Sequence, residues 1–184
     1  NDAATVFREV MDMDEAVKVA YEFYSQHPDE TLIVVTADHE TGGFALGNGP
    51  YALNLQVLKN QKVSESGFTT ILNGLRAQYK NQVPWEALQQ ALKDNFGFWD
   101  QVKLSESQET RLKETFHKSF EGQEVKLEKS EYAQDEPIAG VAKRIINEIA
   151  LVGWTSGGHS AGYVPVFAIG VNAEMFQGRI DNTE

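Results

Sequence analysis

Asp38 and His39 stand side by side at the end of an apolar run, Thr31-Leu-Ile-Val-Val-Thr-Ala37. After Glu40 and Thr41 the glycine pair Gly42-Gly43 follows. A carboxylate and an imidazole are both ligands for a divalent metal, and zinc accepts both. Inside a strand, neighbouring side chains point to opposite faces. At a strand end the backbone can turn, and two glycines make turning easy, so Asp38 and His39 can meet at one ion. A plainer reading remains beside it, in which Asp38 caps a turn and His39 is a polar loop residue. A third candidate, His159, lies in Gly153-Trp-Thr-Ser-Gly-Gly-His159-Ser-Ala-Gly162, where the glycines let backbone approach a metal or an anion closely. By itself it reads equally well as a loop histidine among turn glycines. His39 and His159 are 120 positions apart, so only the fold could bring them together.

The remaining chemistry-bearing residues offer less. His27 precedes Pro28 at a helix end, where a cation suits the helix dipole. His117, between Phe116 and Lys118, falls on the wet side of a helix. Asp2 and Asp181 could be ligands but read first as turn residues, and Glu40 reads as solvent-facing. Gly42-Gly43 lacks the Lys of a phosphate-binding P-loop.

The elements that must position these residues follow from hydrophobic spacing. Leu32 to Val35 shows no polar alternation and reads as a strand buried on both faces, as in a parallel sheet covered by helices. In such sheets chemistry gathers past the carboxyl ends of strands. Before it, Asn1–Val10 reads as a lead-in. A helix is expected from Asp12, with Asp12 and Glu15 at capping-box spacing and Ala16, Val17, Ala20, Phe23 and Tyr24 on its apolar face. Phe44–Gly47 reads as a short strand closed by the turn Gly47-Asn-Gly-Pro50. From Tyr51 onward the pattern is helical, with inward stripes at Phe68/Ile71/Leu72/Leu75/Tyr79, at Trp85/Leu88/Leu92/Phe96 behind Pro84, and at Leu112/Phe116/Phe120 behind a Ser105–Gln108 capping box. Glu121–Glu136 reads as a charged loop. Pro137 opens a further helix with Ile138, Val141, Ile145 and Ile149 on one face. Val164–Val171 reads as another buried strand, with Pro165 at its start, where no ladder hydrogen bond is needed. If the two buried strands share a sheet, both candidate loops could emerge on one edge.

Composition excludes some functions. The 184 residues suffice for one domain with a core. Apolar content of 41% and charged content of 23% are those of a soluble globular chain. A net charge of −11 offers no basic stripe for nucleic acid or for an anionic membrane surface. Small phosphorylated substrates stay open, because bound metal can reverse the local field. With no cysteine there are no disulfides or thiolate ligands. There is no signal peptide or membrane-spanning run. The chain starts at Asn1 as though in mid-domain, so a missing signal carries no information.

Val35-Thr-Ala-Asp-His-Glu-Thr-Gly-Gly43 after a buried strand resembles the metal-binding strand end of the alkaline phosphatase family. Trp154-Thr-Ser-Gly-Gly-His159 before Val164-Pro165-Val resembles that family's second metal-binding loop. Asp181-Asn-Thr-Glu184 is similar to its closing motif, and Asn1-Asp-Ala-Ala to the residues after another metal-binding histidine. The resemblance implies an α/β chain forming part of a three-layer alkaline-phosphatase-like sheet with a mostly helical insertion. Core segments over 1–50 and 136–184 would flank a crown-like helical insertion over 51–135. It implies a phosphomonoesterase with two zinc ions, one magnesium and a phosphoserine intermediate. Asp38 and His39 would bind one zinc, and His159 the other. The nucleophilic serine and most magnesium ligands would lie upstream, leaving this carboxy-terminal part without a catalytic residue of its own and inactive alone. Thr41 departs from members with a histidine two positions after the ligand histidine, which would alter tuning of the zinc. Small phosphomonoesters and a periplasmic or extracellular location are implied on the same ground, and family relatives often form a homodimer, a purpose the helical insertion could serve. Two alternatives stand beside this: a phosphomutase or sulfatase of the same superfamily, or a non-catalytic interaction domain.

Overall fold

The computed structural model describes residues 1–121 and 135–179. Most of the expected 121–136 loop and the whole Asp181–Glu184 motif lie outside the described residues. The chain has an α/β fold built as two compact units. One comprises Asn1, Val6–Ala45 and Trp154–Glu184, and the other Asp2–Thr5 and Leu46–Gly153.

The second unit is helical. Helices α2 (Glu65–Gln78), α3 (Trp85–Phe96), α4 (Glu106–Phe116) and α5 (Pro137–Ala150) pack with a 3-10 turn at Leu55–Asn60. The expected stripes face inward: Phe68, Leu72, Leu88, Leu92, Leu112 and Ile145 are fully buried. Local chemistry sets the boundaries. The Ser64 side chain accepts from the Gly67 N–H to start α2. Ser105 and Gln108 form the full capping box of α4. Gly97, in the left-handed region at φ 69°, ends α3. Asp2 acts here as a capping residue. It accepts from the Thr5 N–H at the start of α1 (Ala3–Gln26), from the Glu65 N–H at the start of α2, and from Gln61 Nε2.

Among the described ion pairs of this helical packing, Arg76–Glu136 has the most deeply buried carboxylate. Arg76 Nε and Nη2 donate to the two carboxylate oxygens of Glu136 at 2.5 and 3.1 Å, and Nη2 also reaches the Ser119 carbonyl. Glu136 is 5% exposed, and the Phe120 ring lies 4.0 Å beneath the guanidinium. Removing one partner of a buried pair leaves the other charge without compensation. Arg76→Ala is therefore expected to destabilise the protein by about 3 kcal/mol in urea unfolding. The exposed Lys18→Ala should stay within about 0.5 kcal/mol. Equal effects would refute a structural role for the pair.

The first unit holds most of α1 (Ala3–Gln26), β1 (Leu32–Val35) and β4 (Phe167–Gly170). Helix α1 starts at Ala3 and not at Asp12, because nothing from Ala3 to Gln26 is a Gly or Pro that would interrupt it. Asp12 and Glu15 lie in mid-helix, where there are no orphan N–H groups to cap. The strands also depart from the expectation. β1 and β4 pair antiparallel, and alternate residues are exposed, Leu32 at 40% and Val34 at 37%. An antiparallel pair tolerates an open face, whereas a parallel sheet is covered on both. The apolar run thus recorded a preference for burial that the described residues satisfy only in part. A second two-stranded sheet joins β2 (Phe44–Leu46) and β3 (Val152–Trp154).

Candidate functional site

The antiparallel register decides where the candidate loops emerge. Leu32 pairs with Gly170 and Val35 with Phe167. The carboxyl end of β1 therefore lies beside the amino end of β4. The loop leaving β1 (36–43) and the loop entering β4 (155–166) share one edge. Thr36 Oγ1 donates to the Pro165 carbonyl at 3.2 Å and ties their bases together. Beneath them Phe7, Phe44 and Trp154 form a chain of ring contacts, with centroids 5.9 and 4.7 Å apart.

His39 and His159 meet at this edge. Their rings stack with centroids 3.4 Å apart and planes 22° apart. Asp38 Oδ1 accepts from the His39 N–H at 3.1 Å, and Asp38 Oδ2 lies 3.5 Å from His39 Nε2. His39 Nδ1 lies 2.9 Å from the Glu40 carbonyl. A carbonyl only accepts, so Nδ1 carries the proton and the Nε2 lone pair is free for a ligand. Donors of a tetrahedral zinc, bonded at 2.0–2.2 Å, are separated by about 3.3 Å. The Asp38 Oδ2–His39 Nε2 separation therefore fits two ligands of one ion. His159 does not complete that set, because rings stacked 3.4 Å apart with planes 22° apart hold their lone pairs in nearly parallel planes that do not converge on one ion. Among the described residues no group of three Asp, Glu or His side chains could hold a metal. The donor chemistry of Asp38 and His39 suits zinc, but two donors fall short of the usual four ligands.

Glu40, read from sequence as solvent-facing, is the centre of the loop contacts. Its Oε2 accepts from the Gly42 N–H at 2.6 Å, from the Ser160 N–H at 3.1 Å and from the Ser160 hydroxyl in a short contact. Its Oε1 accepts from the Gly43 N–H at 2.7 Å. The Ser160 hydroxyl, then the Gly43 and Gly42 N–H groups, hold this carboxyl down to about 2. A sequence signal was present in part: a carboxylate two and three residues before a glycine pair can reach their N–H groups locally. The Ser160 half of the contact had none.

Backbone also joins the loops. The Gly42 carbonyl accepts from the Thr155 N–H at 3.0 Å, the Ser156 N–H at 3.1 Å and Thr155 Oγ1 at 2.9 Å. Gly42 sits at φ 104°, and a Cβ there would lie 2.4 Å from the Gly158 carbonyl oxygen. Asn1 Nδ2 donates to the Ser156 carbonyl at 2.9 Å. The other histidines lie elsewhere: His27 packs on Phe23 after the end of α1, and His117 contacts Glu121 one helical turn away.

The family model described as alkaline phosphatase matches residues 1–184. Alkaline phosphatase 3 of Bacillus subtilis is 32% identical over 186 residues, covering all of this chain and 34% of that protein. Alkaline phosphatase 4 of Bacillus subtilis is 30% identical, again over the whole chain and 34% of its own length. Repressible alkaline phosphatase of Saccharomyces cerevisiae is 28% identical over all of this chain and 32% of its own length. The crystal structure of a cold-active alkaline phosphatase from a psychrophilic Shewanella superposes with a TM-score of 0.67 at 28% identity, over the whole chain and 39% of that structure. The chain thus spans about a third of the length of its curated relatives. No helix among the described residues is long and apolar enough to cross a membrane. With its whole length matched, the chain belongs to the alkaline phosphatase family.

Proposed function

We propose that this chain is the carboxy-terminal part of a metal-dependent phosphomonoesterase working through a phosphoserine intermediate. Asp38 and His39 contribute to one zinc position and His159 to the neighbouring one. The serine, most magnesium ligands and the remaining zinc ligands come from outside residues 1–184. The observation that carries this reading is the meeting of His39 and His159, from opposite ends of the chain, with Asp38 3.5 Å from His39 Nε2. When bound, two zinc ions supply Lewis acidity at both ends of an in-line phosphoryl displacement. The chain's own residues present the donors. Asp38 offers a carboxylate oxygen, and the Glu40 carbonyl fixes the His39 tautomer so that Nε2 faces outward. All three ligand side chains belong to solvent-exposed positions, open to metal and to a small phosphoester. Periplasmic or extracellular placement and a homodimer belong to the same proposal, on family resemblance.

The test is hydrolysis of p-nitrophenyl phosphate, with zinc and magnesium supplied, by this chain and by the full-length polypeptide that carries it. Activity confined to the longer form supports a site divided between segments. Inactivity of both forms would overturn the reading.

A further inference from the structure

Resting on that reading, we infer that Glu40 is a positioning residue that couples the two ligand-bearing loops. Its carboxylate follows directly on the Asp38–His39 pair, yet one of its oxygens takes the N–H and hydroxyl of Ser160, the residue next to His159. The same carboxylate takes the Gly42 and Gly43 N–H groups. Four donors from two loops therefore converge on one side chain. Ser160 is the residue after His159, and Gly42 and Gly43 lie three and four residues after His39, so each bond fixes backbone in a ligand-bearing loop. The surroundings are shaped for this side chain: a Cβ on Gly162 would lie 3.0 Å from Glu40 Cγ, so a larger residue there would crowd it. Asp cannot take its place, being one methylene too short to span from the Gly42–Gly43 turn to Ser160.

The role differs from general support of the fold in what it predicts. Groups that orient metal ligands typically change metal affinity by about 10–100-fold when removed. In the full-length protein, Glu40→Ala is expected to weaken zinc binding by about that factor in a chelator-competition titration. Glu40→Gln, which keeps one acceptor oxygen, should recover part of the loss. Ser160→Ala, which removes only the hydroxyl bond and leaves the N–H, should lose less than Glu40→Ala. The zinc-induced rise in Tm should shrink in Glu40→Ala, since binding stabilises in proportion to affinity. A residue that only held the fold would lower Tm equally with and without zinc. In metal-free protein, amide exchange at Gly42, Gly43 and Ser160 should quicken together in Glu40→Ala. Unchanged exchange at Ser160, or wild-type zinc affinity in both Glu40→Gln and Ser160→Ala, would overturn the inference. Zinc binding by the unsubstituted protein tests the proposed function, and metal-free exchange tests the coupling, so the two failures read separately.

Discussion

Asp38→Ala and His159→Ala, each made in the full-length protein, are expected to abolish most phosphomonoesterase activity. The loss should exceed about 100-fold, because removing residues that merely orient metal ligands already costs 10–100-fold. Asp38 supplies an oxygen 3.5 Å from His39 Nε2, and His159 supplies the ring stacked on His39. Each substitution should also lower bound zinc, measured by metal analysis after dialysis at fixed free zinc. The double variant should lose much less than the product of the single losses, since residues acting as one unit are strongly non-additive. His27→Ala and His117→Ala are the controls. His27 packs on Phe23 and His117 contacts Glu121, and both variants should keep full activity. Unchanged activity in Asp38→Ala and His159→Ala would remove the basis for assigning the site.

Gly42→Ala should be nearly as damaging through a different physical route. The residue sits at φ 104°, where an L side chain carries backbone strain of about 1–3 kcal/mol. The added Cβ would also lie 2.4 Å from the Gly158 carbonyl oxygen. That atom belongs to the residue before His159, so relief of the overlap moves His159 away from His39. Displacement of a reacting group by about 1 Å can cost about 100-fold in rate. Gly49 separates the two causes. It has a similar φ of 116° but nothing within 4 Å of a built Cβ. Gly49→Ala should therefore cost stability alone, with kcat retained. A full-length Gly42→Ala enzyme with wild-type kcat would refute the claim that close approach of the loops sets the geometry.

The two effects act on one arrangement. The proposed ligands are contributed by loops, but the loops are held by short-range contacts: Thr36 to Pro165, Gly42 to Thr155 and Ser156, and Glu40 to Ser160. A site on exposed loops can keep its geometry when neighbouring backbone is bonded in this way. The solvent exposure of Asp38, His39 and His159 is then compatible with order.

What the sequence determined by itself was local. The helical stripes over α2 to α5, the Ser105–Gln108 capping box, the Pro137 start of α5 and the adjacency of Asp38 and His39 all follow from spacings of a few residues. Local spacing carries helix periodicity and capping chemistry directly, so these were legible. The resemblance in the two glycine-rich loops also named the family before any fold was known. Tertiary structure decided the rest. An apolar strand records that it prefers burial, not the direction of its neighbour, and β1 pairs antiparallel with β4. That direction, absent from either strand's own sequence, puts both loops on one edge. The start of α1 at Ala3 rests partly on Asp2, whose carboxylate also caps α2 about sixty residues away. Glu40 is the sharpest case. Its sequence neighbours explain two of its bonds, but its partner Ser160 lies 120 positions further on. Only folding brings that partner within reach, because a side chain's role is fixed by what surrounds it in space.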